Sequence, residues 1–178
     1  YRNVVIKIGS ALLSNDNHNV DDFIESICKQ IADAKSKGTK FTIVTSGAIS
    51  KGQEMLNVGK RPSELEELQA LAAIGQQNLM RMYEGAFAHH TCLTAQVLLT
   101  HDDMNNPNRF LNAKATITKI ISQGVIPIIN ENDVVATEEI RLGDNDTLAA
   151  MVSNLVEADL MIILTNQKGY FNKNPDKF

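Results

Sequence analysis

Two rhythms of hydrophobic residues alternate along this chain. Short runs, most of them continuously aliphatic, come first: Asn3 to Ile8 with Val4-Val5-Ile6 at its centre, then Phe41 to Thr45, Cys92 to Leu99, Val125 to Ile129 and Asp159 to Thr165. Between them, apolar residues recur every three or four positions. Val20, Phe23, Ile24, Ile27, Cys28 and Ile31 form one such stripe. Leu68, Leu71, Ala72, Gly75, Leu79, Met82 and Tyr83 form a second, and Phe110, Leu111, Ile117 and Ile121 a third, with Thr147 to Val156 also helical in pattern. Runs that do not alternate with polar residues belong to strands covered on both faces, and strands separated by helices pair in parallel. The pattern predicts an α/β fold, a three-layer sandwich with a mostly parallel central sheet. Local signals set the helix ends. Asp21 is the expected first N-cap and Gly38 the stop; Ser63 and Glu66 read as a capping box after Pro62, and Asn108 as a third cap. Pro127 is awkward for an interior strand. Ile140 and Arg141, after Val134-Val135, read as a small hairpin.

Small and polar residues gather just past these runs. Lys7-Ile8-Gly9-Ser10 ends the first run and Val44-Thr45-Ser46-Gly47-Ala48-Ile49 the second. Asn130-Glu131-Asn132-Asp133 follows Val125 to Ile129, and Gly143-Asp144-Asn145-Asp146 opens the last helical pattern. In an open α/β sheet, ligands bind at the carboxyl ends of the strands, so one shared site is the simplest explanation. A lone Lys7 reads as a solvated lysine. With Gly9 and Ser10 behind it, it also reads as a cation for a phosphate oxygen beside approachable backbone N–H groups. Ser46-Gly47-Ala48 reads equally as a helix N-cap and as an anion site at a helix start. The carboxylates and amides of the two later segments read singly as polar turns. Together they suit a substrate ammonium, the orientation of the lysine, or contact with magnesium-bound water. One lysine, a serine, carboxylates, amides and glycines suit phosphoryl transfer to a small polar acceptor. No general base accompanies them. A carboxylate acceptor, with a reference pKa of about 4.3, needs positioning and charge neutralisation but no proton removal.

Composition narrows the classes. The 178 residues fit one domain, and 43% hydrophobic content supplies an aliphatic core without tryptophan. A net charge of −4 with mixed signs argues against nucleic acid as a partner. Cys28 and Cys92 lie far apart in apolar patterns and are expected as free thiols in a reducing, cytoplasmic setting. No apolar run is long enough to span a membrane. Gly47 to Gly52 has the glycine spacing of a phosphate-binding loop, but Gln53 stands where its lysine belongs. Neither the cysteines nor His89-His90, which point ~100° apart on a helix, make a metal site, so no metal ligands are assigned.

These segments, taken in order, resemble the amino acid kinase family, and within it the branch that phosphorylates glutamate. Lys7-Ile8-Gly9-Ser10 is similar to its first K-x-G-[ST] turn. Val44 to Ile49 resembles its V-T-S-G-A-I segment, Ile129 to Asp133 its I-N-E-N-D segment, and Gly143 to Asp146 its G-D-N-D turn. Arg109-Phe110-Leu111-Asn112-Ala113 and Leu164-Thr165-Asn166-Gln167-Lys168-Gly169 match in order as well. The resemblance implies the carbamate kinase-like fold and transfer of phosphate from ATP, with magnesium, to the γ-carboxylate of L-glutamate. The product would be L-glutamyl 5-phosphate, in the first step of proline biosynthesis. It further implies that Lys7 and Asp146 are catalytic, Lys7 at the transferring group and Asp146 on the lysine side of the site. Ser46, Gly47 and Ala48 would bind glutamate, and Asn130, Asp133 and Asn145 would hold its amino and carboxylate ends. Gly9, Ser10, Thr165 and Asn166 would join Lys7 around the nucleotide. Feedback by proline, assembly into a homo-oligomer (with the Ser63 to Tyr83 helix as the contact) and a glutamyl-phosphate reductase as partner complete the expectation. Two departures accompany it. The family usually carries aspartate at the position of Asn166. It also continues past Phe178 with further adenine-pocket segments and a second phosphate-binding lysine, so residues 1–178 are read as the kinase domain without its C-terminal nucleotide-binding part and without a PUA domain. The alternatives are a family member acting on N-acetylglutamate or a carbamate-type acceptor, and a non-catalytic amino-acid sensor on the same fold.

Overall fold

A computed structural model of the chain describes residues 1–14, 19–136, 145–166 and 169. Five strands form one sheet: β1 (Asn3–Ile8), β2 (Lys40–Thr45), β3 (Thr94–Leu99), β4 (Ile126–Glu131) and β5 (Leu160–Leu164), in the order β3-β4-β2-β1-β5. Every pairing is parallel, β1 lying beside β2 from Asn3↔Lys40 to Ile8↔Thr45 and beside β5 from Val4↔Leu160 to Ile8↔Leu164. The helices are α1 (Val20–Lys35), α2 (Ala48–Leu56), α3 (Leu65–Ala88), α4 (His101–Asn105), α5 (Pro107–Ser122) and α6 (Asn145–Leu155).

Strand geometry turns successive side chains to opposite faces, and the two cores follow that alternation. Val4, Ile6, Ile8, Ile43 and Ile128 pack with Ile24 and Cys28 of α1 and Leu79, Tyr83 and Phe87 of α3. Val5, Val44 and Ile129 face the other way, against Met104, Ile117 and Leu148 to Leu155 on α4, α5 and α6. The sheet is therefore covered on both sides, as the aliphatic runs require. Burial pushes the Cys28 thiol up to about 12, reinforced by Glu25 and Cys92, which makes it a neutral packing group. Among the described residues, no helix is long and apolar enough to cross a membrane.

Several boundaries differ from the sequence reading. Asn19, not Asp21, caps α1, accepting from the N–H groups of Asp21 and Asp22 at 3.1 and 3.4 Å, while Asp21 joins the first turn. The Ser63–Glu66 box does not form: Glu64 is the N-cap without a side-chain bond, and the Ser63 hydroxyl donates to Glu64 at 3.3 Å. A capping box does exist at Thr100 and Asp103 on α4. Asn106, not Asn108, caps α5, because Pro107 takes the first helical position, where its missing N–H has no partner to lose. The third strand starts at Thr94 and not Cys92, since the Cys92 N–H still closes onto Phe87 O at the end of α3. Pro127 does sit inside an interior strand. The pairing of β4 with β2 begins only at Ile43↔Ile128, and the adjacent Ile126 N–H faces Leu93 O on the β3 side. The proline nitrogen thus falls just ahead of the β2 ladder. Ile140, Arg141, Gly143, Asp144, Gln167 and Lys168 lie outside the described residues.

Candidate active site

Parallel pairing brings the carboxyl ends of all five strands to one edge, and the side chains named above meet there. Lys7 shares the face of Val5, the α6 side of the sheet. Its Nζ lies 2.6 Å from Asp146 Oδ1, in the first turn of α6; Lys7 is buried and the Asp146 side chain is 53% exposed. That contact depends on α6 starting at Asn145, two residues before the expected Thr147.

Asn145 turns inward from the same turn and is 6% exposed. Its Nδ2 donates to Thr45 O at 2.7 Å, Asn130 Oδ1 at 2.9 Å and Ser46 Oγ at 3.0 Å. Asn130 Oδ1 also accepts from the Glu131 N–H at 2.9 Å, and Asn130 Nδ2 donates to Gln76 Oε1 at 2.8 Å. Thr45 adds a buried hydroxyl contact of 2.9 Å to Tyr83, whose phenol burial holds above its usual range and so keeps neutral. The ends of β2 and β4, the start of α6 and the middle of α3 are thereby joined by buried polar groups that are mutually paired.

A narrow cleft opens above this layer, lined by Ser10, Ser46, Ala48, Arg61, Asp133 and Asn145 among others. Gly47 is the N-cap of α2 with φ 95°, a left-handed conformation that suits glycine, and no side chain caps the helix. The first N–H groups of α2 therefore have no intrahelical acceptors, at the positive end of the helix dipole. The Ser46 hydroxyl accepts from Asn145 and keeps its own proton for another partner. Asp133 stands across the cleft. Burial pushes its carboxyl up to about 6, the Glu131 charge pushes it further, and Arg61 opposes both.

The structure thus brings together Lys7, Ser10, Ser46, Gly47, Ala48, Asn130, Asp133, Asn145 and Asp146. Thr165 and Asn166 follow β5 on the same edge and are exposed. Gly9 differs from expectation in one respect: its N–H is committed to Leu164 O at 3.1 Å, so it closes the β1–β5 ladder and does not face an anion. Sequence reasoning missed four contributors. Glu131, 4% exposed and 3.2 Å from His101 Nδ1, lies within a segment already singled out. Gln76 was signalled as a polar residue on the apolar stripe of α3. His101 and Arg61 had no local signal.

A model of the amino acid kinase family matches residues 2–178. The chain belongs to that family. Among its relatives, a glutamate 5-kinase of Marinomonas sp. (strain MWYL1) is 53% identical over 173 residues, covering 97% of this chain and 46% of that protein. A glutamate 5-kinase of Ralstonia pickettii (strain 12J) is 49% identical over 177 residues, 99% of this chain and 47% of its own length. One of Hydrogenovibrio crunogenus is 50% identical over 175 residues, 98% of this chain and 46% of its own. The chain spans about half the length of the curated relatives it matches. The all-parallel sheet with helices on both faces agrees with membership of the amino acid kinase family.

Proposed function

We propose that this chain carries the acceptor-binding part of an ATP-dependent kinase that phosphorylates the γ-carboxylate of L-glutamate. One observation carries the reading: the first turn of α6 serves both partners of the transfer. Asn145 anchors the amide layer beneath the cleft, and its neighbour Asp146 holds Lys7. Acceptor and phosphoryl group are thereby fixed against each other by two consecutive residues.

The roles follow from the chemistry of each group. A glutamate carboxylate suits the uncapped start of α2, with Ser46, Gly47 and Ala48 donating. The ammonium suits the Asp133 carboxylate, supported by Asn130 and by Asn145, whose Nδ2 is the group committed to the amide layer. An oxygen of the γ-carboxylate attacks the terminal phosphorus of ATP. The bond to the bridging oxygen breaks and ADP leaves with that electron pair. The attacking carboxylate is already ionised, so no base is required. Lys7 neutralises charge building on the transferring group and Asp146 keeps its ammonium in place. ATP enters as its magnesium complex, with Ser10, Thr165 and Asn166 on the nucleotide side; Gly9 shapes that side through its bond to β5.

The product is an acyl phosphate, short-lived in water, which favours a glutamyl-phosphate reductase as the protein that takes it. Proline feedback, a homo-oligomeric state and a cytoplasmic location belong to the same reading. It is tested by ADP release from the full-length protein with glutamate, N-acetylglutamate, aspartate or UMP. A site that pairs Asp133 with a free ammonium turns over glutamate and rejects its N-acetylated form by at least about 100-fold, because acetylation leaves a half-buried carboxylate unpaired. Equal rates with N-acetylglutamate would overturn the assignment.

A further inference from the structure

Gln76 projects from the middle of the long α3 helix, outside every strand-end segment, yet it closes the amide layer. Two backbone groups fix the polarity of that layer. Thr45 O can only accept, so Asn145 must turn its NH2 toward it. The Glu131 N–H can only donate, so Asn130 must turn Oδ1 toward it. Asn130 Oδ1 then faces the Asn145 NH2, and Asn130 Nδ2 is left for the Gln76 carbonyl at 2.8 Å. All three amides are oriented, with no freedom to flip.

The arrangement has a cost on the helix side. Gln76 is 8% exposed, and its Nε2 is buried without a partner. An apolar residue at this place in the stripe would remove that penalty. What Gln76 contributes is its carbonyl. The backbone explains how it arrives there: α2 and α3 cross through facing glycines. A Cβ on Gly75 would lie 1.8 Å from Ala48 O, and one on Gly52 2.1 Å from Leu71 O. The residue before Gln76 is thus pressed against the first residue of α2, so one helix registers the cleft from two sides.

We propose that Gln76 is a positioning residue for acceptor recognition: its carbonyl holds the Asn130 amide, which holds Asn145 beneath the acceptor. The proposal rests on the reading of the cleft as an amino-acid site. It assigns Gln76 to acceptor binding and not to phosphoryl transfer, since the relay ends at Asn145 and does not touch Lys7.

The test is steady-state kinetics of the full-length protein with Gln76→Met, close in length and without a carbonyl, and with Gln76→Leu as a second variant. Thermal melting verifies that each is folded. The glutamate KM rises about 10-fold, in the range of one lost hydrogen bond to a recognition group, while kcat and the ATP KM stay within about threefold. In an Asn130→Ala background, the same Gln76 substitution adds less than about twofold, because the group through which it acts is gone. The same factor in both backgrounds, or equal rises in the glutamate and ATP KM, would mean a packing role only and overturn the relay. A wild type that neither binds nor turns over glutamate contradicts the proposed function itself. A glutamate-dependent wild type with unchanged Gln76→Met kinetics contradicts the relay alone.

Discussion

On the β2–β4 half of the sheet edge the polar groups are buried and hold one another, whereas on the β1–β5 half a buried Lys7 stands among groups that meet solvent. Ser46, Asn130 and Asn145 are each under one-tenth exposed and linked through shared hydrogen bonds. Across the edge, Lys7 is secured by the half-exposed Asp146, and Thr165 and Asn166 are open to solvent. The first half is preorganised before any ligand arrives. Its groups give up little conformational freedom on binding, which favours selective recognition of a ground-state acceptor. In the proposed function the second half presents a charge to a group whose own charge distribution changes during reaction, where an interaction counts in the transition state. The proposed function divides binding and chemistry along the sheet, with the first turn of α6 as the joint.

Substitutions should therefore separate KM from kcat according to the half they touch. Lys7→Ala is the largest break: kcat falls by about 10³-fold, as for the loss of a charge-stabilising donor, while the glutamate KM changes less than about threefold. Steady-state kinetics at saturating ATP measures both. Asn145→Ala strikes the other half. It removes three acceptors' shared donor from a buried layer, so the glutamate KM rises roughly 30-fold or more with a smaller effect on kcat.

Asp133 sharpens the comparison through pH. Its native carboxyl titrates near 6 against an ordinary 3.8, so the folded protein keeps that proton where the unfolded chain has lost it. The native state then binds more protons between those values, and this group's contribution to stability declines as pH rises from about 4 to 6. An ammonium ligand wants the ionised form. The glutamate KM should be flat above about pH 7 and climb toward tenfold per unit below 6, as the carboxylate is lost. Asp133→Asn raises the KM about 10-fold at neutral pH and flattens that climb, as read from KM against pH. The smallest effect belongs to the exposed nucleotide side. Asn166→Asp, which restores the residue usual in the family, shifts the ATP KM by less than about threefold, because an exposed charge is screened by solvent.

The fold was legible because its signals are local. Mostly aliphatic runs named the five strands among the described residues, and the three-and-four spacing named α1, α3 and α5. The helix caps were less so. Asn19 and Asp21, or Asn106 and Asn108, are equally good oxygen donors two residues apart, and only the path of the chain decides which one faces the free N–H groups. The strand-end segments were legible as neighbours on one sheet edge for the same local reason. The bond of the Gly9 N–H was not legible because its acceptor lies on β5, more than 150 residues further along the chain. Gln76 is a polar break in the apolar stripe of α3, but its partner is set by helix crossing; Arg61 and His101 reach the site by loop placement, for which no neighbouring residue gives a pattern.

The central claim is that a free glutamate carboxylate, held on the β2–β4 half, accepts phosphate presented from the β1 side. The most direct measurement is hydroxamate formation by the full-length protein with glutamate, ATP, magnesium and hydroxylamine. Hydroxamate equal to the ADP released, saturable in glutamate and suppressed in step by Lys7→Ala, is the predicted result. ADP release without hydroxamate, or hydroxamate undiminished by Lys7→Ala, would contradict it.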